Sequence, residues 1–208
     1  MEKLWHISKD DNRVQKLAEN DKVMGRLIER IGDVERALRP YPLKSLVRSI
    51  VGQQISVKAA ETIFGRLKEK INDEWTIAAF KKLTEEECKE IGLSRSKQKY
   101  IFNLVEHIDN GELEFEKLDR LSNEEIIKQL TAVKGIGKWT AEVFLIFTMQ
   151  RENVVPVDDV GLQRAAKRLY NQPDARGKAL LKECKATWGD QGTIGCLYLW
   201  EYIHQYQI

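Results

Sequence analysis

Apolar residues recur at helical intervals along almost the whole chain, and this periodicity restricts the possible folds more than any other feature. In residues 14–31 the apolar positions are Val14, Leu17, Val23, Leu27, Ile28 and Ile31, and Gly32 follows as a stop. Spacings of three and four place these side chains on one helix face, which must be buried against another element. The same texture predicts helices over residues 43–51, 56–71, 94–108, 122–130, 138–149, 160–170, 176–187 and 191–205. Thr84 with Glu87, and Ser122 with Glu125, have the S/T-x-x-E spacing of a capping box, which satisfies orphan amides at a helix start. No alternating strand stands out, and residues 153–157 read as a short extended connector that leads to an acidic pair. The expected fold class is all-α, with no internal repeat and no low-complexity tract.

A chain of 208 residues suffices for one large domain or two small lobes. The central motifs lie in residues 43–170, so a central lobe over that span is expected. Residues 1–42 and 171–208 would pack together as a second lobe. Thirty-four basic and 32 acidic residues leave a net charge of only +2, so any polyanion would have to be held by locally placed cations. Cys88, Cys184 and Cys196 are odd in number and in no C-x-x-C spacing, which reads as reduced thiols. Residues 1–9 show no secretory leader and no apolar run approaches eighteen residues, so an intracellular protein without a membrane span is expected. That means cytoplasm or nucleoid in a bacterium or archaeon, and nucleus in a eukaryote.

The most specific string is Leu130-Thr131-Ala132-Val133-Lys134-Gly135-Ile136-Gly137-Lys138-Trp139-Thr140-Ala141. It joins two predicted helices through a G-I-G turn. Glycines admit positive φ and let the backbone approach another molecule closely. Amides at the start of the following helix favour an anion, and a phosphate held there carries no sequence information. Lys134 and Lys138 add positive charge. Read alone, the string is also compatible with an ordinary helix–helix turn.

Twenty residues downstream comes Val154-Val155-Pro156-Val157-Asp158-Asp159-Val160-Gly161-Leu162-Gln163-Arg164. Either aspartate could cap the helix beginning near Val160. A carboxylate held there could instead stabilise positive charge that develops only in a transition state. Upstream, Gly52-Gln53-Gln54-Ile55-Ser56 breaks one helical pattern and starts the next, with Ser56 as a possible N-cap. Ser94, Arg95 and Lys97 open another helix with hydroxyl and basic groups. His6, His107 and His204 lack ligand spacing.

Together the hairpin and the V-P-V-D-D segment resemble the helix-hairpin-helix–GPD DNA glycosylase superfamily, whose hairpin is usually written L-x-x-[LV]-P-G-[IV]-G. Lys134 stands here in place of the proline. The resemblance implies a two-lobed helical fold with an active-site cleft between lobes, and a function in base excision repair. It selects Asp159, five residues before Arg164, as the catalytic carboxylate, leaving Asp158 as a capping or structural partner. Members that also cut the backbone carry a lysine two residues after the second hairpin glycine. Trp139 occupies that position, which implies hydrolysis without lyase activity, since an indole is no amine nucleophile. Tryptophan there, and the Trp188–Trp200 separation, are similar to the 3-methyladenine DNA glycosylase II branch. Trp139 and Trp200 are then expected to face a cationic alkylated purine.

In that branch the G-Q-x-[IVL]-S segment supplies the residue that fills the gap left by a flipped base, which matches Gln54. Gln53, Ser94, Arg95, Lys97, Lys134, Gly135, Gly137, Lys138 and Thr140 are the further expected DNA contacts. No cofactor is expected to be required. A monovalent or divalent cation on the backbone carbonyls of Thr131, Val133 and Ile136 is implied. An iron–sulfur cluster is not expected, because Cys184 and Cys196 are too few and too far apart. The expected partner is double-stranded DNA with damaged bases, bound by a monomer. Rival readings are a glycosylase for uracil, hypoxanthine or ethenoadenine, and a non-catalytic DNA-binding module.

Overall fold

The computed structural model describes residues 3–207. In chain order the elements are β1 (Leu4–Ile7), α1 (Asn12–Asn20), α2 (Lys22–Ile31), β2 (Val34–Ala37), α3 (Pro42–Gly52), α4 (Val57–Lys70), α5 (Ile77–Lys81), α6 (Glu85–Ile91), α7 (Arg95–Asp109), α8 (Asn123–Ala132), α9 (Lys138–Phe147), α10 (Val160–Leu169), α11 (Gly177–Trp188) and α12 (Gly192–Tyr206). The helical expectation holds, with α5 an additional short helix the spacing did not indicate and two corrections at the start of the chain. β1 and β2 form a two-stranded antiparallel sheet pairing Leu4 with Ala37 and Ile7 with Val34. Four residues give too short an alternation to stand out, yet Trp5 and Ile7 are buried between exposed neighbours. The single helix expected over residues 14–31 is two helices. Asp21 breaks it by accepting from the amides of Val23 (2.9 Å) and Met24 (3.1 Å), so it caps α2 while the apolar spacing continues across the break. The spacing ignored this competing cap.

Both expected capping boxes are present. The Thr84 amide donates to Glu87 Oε2 at 2.9 Å, and the Glu87 amide to Thr84 Oγ1 at 3.2 Å. Ser122 and Glu125 repeat the exchange at 2.8 and 3.2 Å.

The chain divides into two units, one running to Leu38 and resuming at Leu145, the other spanning Arg39–Phe144. These boundaries differ from the expected 42/43 and 170/171. The difference arises because α10 packs on α11 and α12 and buries Leu162, Ala165 and Ala166. In the discontinuous unit, α12 is buried at every position from Gly192 to Leu199, the pattern of a helix surrounded by others. Ile7, Val14, Leu17, Met24, Ile28, Trp188 and Tyr198 are fully enclosed there. The continuous unit is built on Leu46, Ile50, Leu67, Phe80, Leu104 and Leu130. Each such side chain contributes roughly 1.5–3 kcal/mol through burial.

Candidate functional site

In the continuous unit, α8 ends at Ala132 and α9 begins at Lys138, so the turn between them is five residues. Val133 and Ile136 are buried and pin it to the core, and the Ile136 amide donates to Val133 O at 3.0 Å. Lys134, Gly137, Lys138 and Trp139 point outward, Trp139 with 41% of its surface exposed. Gly135 has φ +104°, and a Cβ there would lie 2.2 Å from Tyr100 Cγ. The turn therefore rests on the Tyr100 side chain, and only glycine fits. At Gly137 a Cβ would meet nothing within 4 Å, so that glycine leaves an open approach to the first-turn amides of α9. Thr140, expected among the DNA contacts, is only 3% exposed, its side chain turned into the core by the α9 register.

The turn between α3 and α4 lies in the same unit. Ser56 caps α4, its Oγ accepting from the Ala59 amide at 3.3 Å. Gln54 is exposed, with φ +57°, a backbone conformation uncommon outside glycine, asparagine and aspartate. Gln53 does not project beside it. Its Nε2 donates to the Gly135 carbonyl at 2.8 Å. Lys97 is also engaged internally: its Nζ donates to Val51 O at 2.7 Å, and burial lowers its pKa. Ser94 caps α7 by accepting from the Lys97 amide at 3.4 Å, while Arg95 is exposed. The expected direct roles of Gln53 and Lys97 thus meet side chains already occupied by backbone carbonyls. Sequence reading missed Tyr100 altogether, since an isolated aromatic on a helix has no motif to mark it.

In the other unit, Val154, Val155 and Val157 are buried, and the Val154 amide donates to Thr193 Oγ1 at 3.1 Å. That anchor on α12 fixes the extended segment and delivers Asp159 to the head of α10. Asp159, rather than Asp158, is the cap: its Oδ1 accepts from the Leu162 amide at 2.8 Å. Asp158 forms an ion pair with Lys178 at 2.5 Å. Gln163 ties the helix back to the segment through Nε2 and Val157 O at 2.8 Å. A Cβ on Gly161 would stand 3.1 Å from Asp159 Oδ1, so a small residue leaves the carboxylate room. Arg164 is exposed, and Trp200 is half-buried with its ring tilted 35° against Phe147 at 5.5 Å.

Trp188 is fully buried, and its Nε1 donates to Asp21 Oδ2 at 3.0 Å. Tyr170 donates its hydroxyl to the same oxygen. The three cysteines are buried free thiols, and burial pushes Cys184 up to about 11. Among the described residues no group of three or more His, Cys, Asp or Glu side chains is arranged to hold a metal ion, and no helix is long and apolar enough to cross a membrane.

Comparison with known proteins places this arrangement among relatives. The family model of HhH-GPD superfamily base excision DNA repair proteins matches residues 47–189. A crystal structure of DNA-3-methyladenine glycosidase from Bacillus halodurans is similar with a TM-score of 0.89 and 37% identity, covering 98% of this chain and 94% of that one. The Schizosaccharomyces pombe 3-methyladenine DNA glycosylase Mag1, in complex with abasic DNA, is similar with a TM-score of 0.80 and 29% identity, over 91% of this chain and 95% of that one. The DNA-3-methyladenine glycosylase 1 of the same yeast is 29% identical over 94% of this chain and 87% of its own length.

Proposed function

This chain belongs to the HhH-GPD superfamily of base excision DNA repair proteins, and from that premise we propose that it releases alkylated purines from duplex DNA by hydrolysis, without lyase activity. The observation that carries the reading is Asp159, set at the head of α10 by a buried extended segment and held through Oδ1 on the Leu162 amide. Similarity to proteins named as 3-methyladenine glycosylases supports the substrate class.

Breaking the C1′–N bond leaves positive charge on the sugar. A carboxylate already fixed in place stabilises that charge without reorganising at the moment of reaction. Water then supplies the oxygen that bonds to C1′ and gives up a proton, for which Asp159 is the acceptor we assign. A 3-alkyladenine or 7-alkylguanine base is cationic before cleavage and departs neutral, so the leaving group requires no acid. Trp139 offers an exposed aromatic face, and Trp200 a half-buried one, to such a cation, worth roughly 0.5–2 kcal/mol. With an indole at position 139, no amine is available there for a covalent intermediate.

The hairpin, Lys134 and Lys138 hold a backbone phosphate, and Gln54 fills the stack after the base has left it. The carbonyls of Thr131, Val133 and Ile136 are neutral oxygens suited to a hard cation, and Val133 O retains a lone pair beyond its bond from Ile136. A cation there would order the turn and supply charge near the phosphate. We further propose that the protein acts as a monomer on damaged duplex.

The test is release of methylated purines from alkylated duplex DNA under single-turnover conditions. Release by the unaltered protein and its loss in Asp159→Asn are expected. No release from alkylated DNA, with release of uracil, hypoxanthine or ethenoadenine instead, would replace the substrate class.

A further inference from the structure

Gln53 and Lys97 look like DNA contacts in sequence, yet both side chains end on backbone carbonyls. Lys97 Nζ donates to Val51 O at 2.7 Å, in the last turn of α3, where carbonyls lack intrahelical partners. Gln53 Nε2 donates to Gly135 O at 2.8 Å, across to the hairpin. Gly135 in turn sits so close to Tyr100 that a Cβ would lie 2.2 Å from the ring carbon Cγ. Lys97 and Tyr100 are three residues apart on α7 and therefore share a face. The contacts close a ring: Val51 to Gln53 along the chain, Gln53 to Gly135, Gly135 to Tyr100, and α7 back through Lys97 to Val51. Gln54 is the next residue out of this ring. It is exposed and held at φ +57°, a conformation its own side chain does nothing to favour.

We propose that Gln53, Lys97 and Tyr100 are positioning residues that brace the α3–α4 turn against the hairpin, so that Gln54 stands at a fixed place relative to the phosphate-binding turn. The inference rests on the reading of Gln54 as the residue that fills the flipped-base gap. A mobile turn would let Gln54 miss the gap and the base fall back. The brace makes the hairpin's grip on the backbone and the plug in the stack parts of one rigid body. Lys97 acts here as a hydrogen-bond donor to a helix end and contributes no phosphate contact.

The experiment compares Gln53→Met and Lys97→Met, each alone and combined with Gln54→Ala, on a paired 7-methylguanine and on the same lesion in a bulge. Flipping is followed separately from base release by 2-aminopurine placed beside the target, whose fluorescence rises when its neighbour unstacks. Each single variant should slow flipping of the paired lesion about tenfold, the scale of one charge-assisted or carbonyl hydrogen bond, and the bulged lesion less than about twofold. Neither should add more than about twofold to Gln54→Ala. The salt dependence of undamaged-duplex binding should keep its slope in Lys97→Met, whereas loss of a phosphate contact would lower it by about one. Lys97→Arg, which still donates, should restore flipping.

Equal slowing of paired and bulged lesions, a full tenfold effect on top of Gln54→Ala, or a lowered salt slope would each overturn the brace. Should Lys97→Met melt early, Gln53→Met decides by the same comparisons. A protein that flips with these sensitivities but releases no base would overturn the proposed reaction and leave the brace standing. The absence of any flipping signal would overturn both.

Discussion

Substituting Gly137 tests the phosphate-binding role of the hairpin, because a side chain added at that position displaces nothing in the fold. An added Cβ meets nothing within 4 Å, and the residue is exposed. Gly137→Asp therefore places a carboxylate beside an expected DNA phosphate, a charge pair separated by about 5 Å when the two groups are in near contact. Two unit charges at that distance repel by about 0.8 kcal/mol at the dielectric of water and by about 3 kcal/mol at an effective value near 20. The dissociation constant should rise by roughly fourfold to a few hundredfold. The rise should be the same for damaged and undamaged duplex, since the contact reads no base. Fluorescence anisotropy on both duplexes, with a thermal melt of each variant, supplies the comparison. Gly137→Ala is the control for bulk and should bind nearly as the unaltered protein does. Gly135→Ala should fail differently, losing about 2 kcal/mol or more of stability through strain at φ +104° and collision with Tyr100. Unchanged affinity in Gly137→Asp, with the melt intact, would refute the hairpin as the phosphate site.

Asp159→Asn should lower single-turnover base release by at least about 100-fold while lesion binding survives, the scale for losing one preorganised charge; equal activity would remove Asp159 from the chemistry. Borohydride should trap no enzyme–DNA adduct, and product strands should break only after alkali; an efficient trap would locate an amine that the reading of Trp139 denies. Asp21→Ala should cost about 3 kcal/mol and lower Tm by roughly 6–12 °C, because it orphans Trp188 Nε1 and the Tyr170 hydroxyl along with the α2 cap. A melt within a degree or two would mean that water replaces those bonds.

The residues that the sequence marked correctly share one property: their role is local. Thr84 with Glu87, Ser122 with Glu125, Ser56 before α4 and Gly32 after α2 all act within four positions, and spacing alone reveals them. Asp21 shows the limit. Its neighbours continue a helical apolar pattern, so the break appears only once its carboxylate is seen accepting from Val23 and Met24 and, from far along the chain, Trp188 and Tyr170. The same limit explains the polar residues of the candidate site. A motif read in one dimension assigns every polar side chain to the ligand, but helix ends and turns leave backbone carbonyls that also need donors. Lys97 and Gln53 meet that need at Val51 and Gly135, 46 and 82 residues away in sequence.

Under the proposed reaction, Asp159 meets both demands. As the cap of α10 it accepts one amide through Oδ1, the role that a structural reading gives it, and the same bond fixes the orientation of its carboxylate. A cap is a charge held still at a helix end, and a charge held still is what an oxocarbenium-like transition state requires. Under the proposed reaction, cap and catalyst are therefore compatible roles at this position. Asp158, by contrast, pairs its carboxylate with Lys178 on the surface.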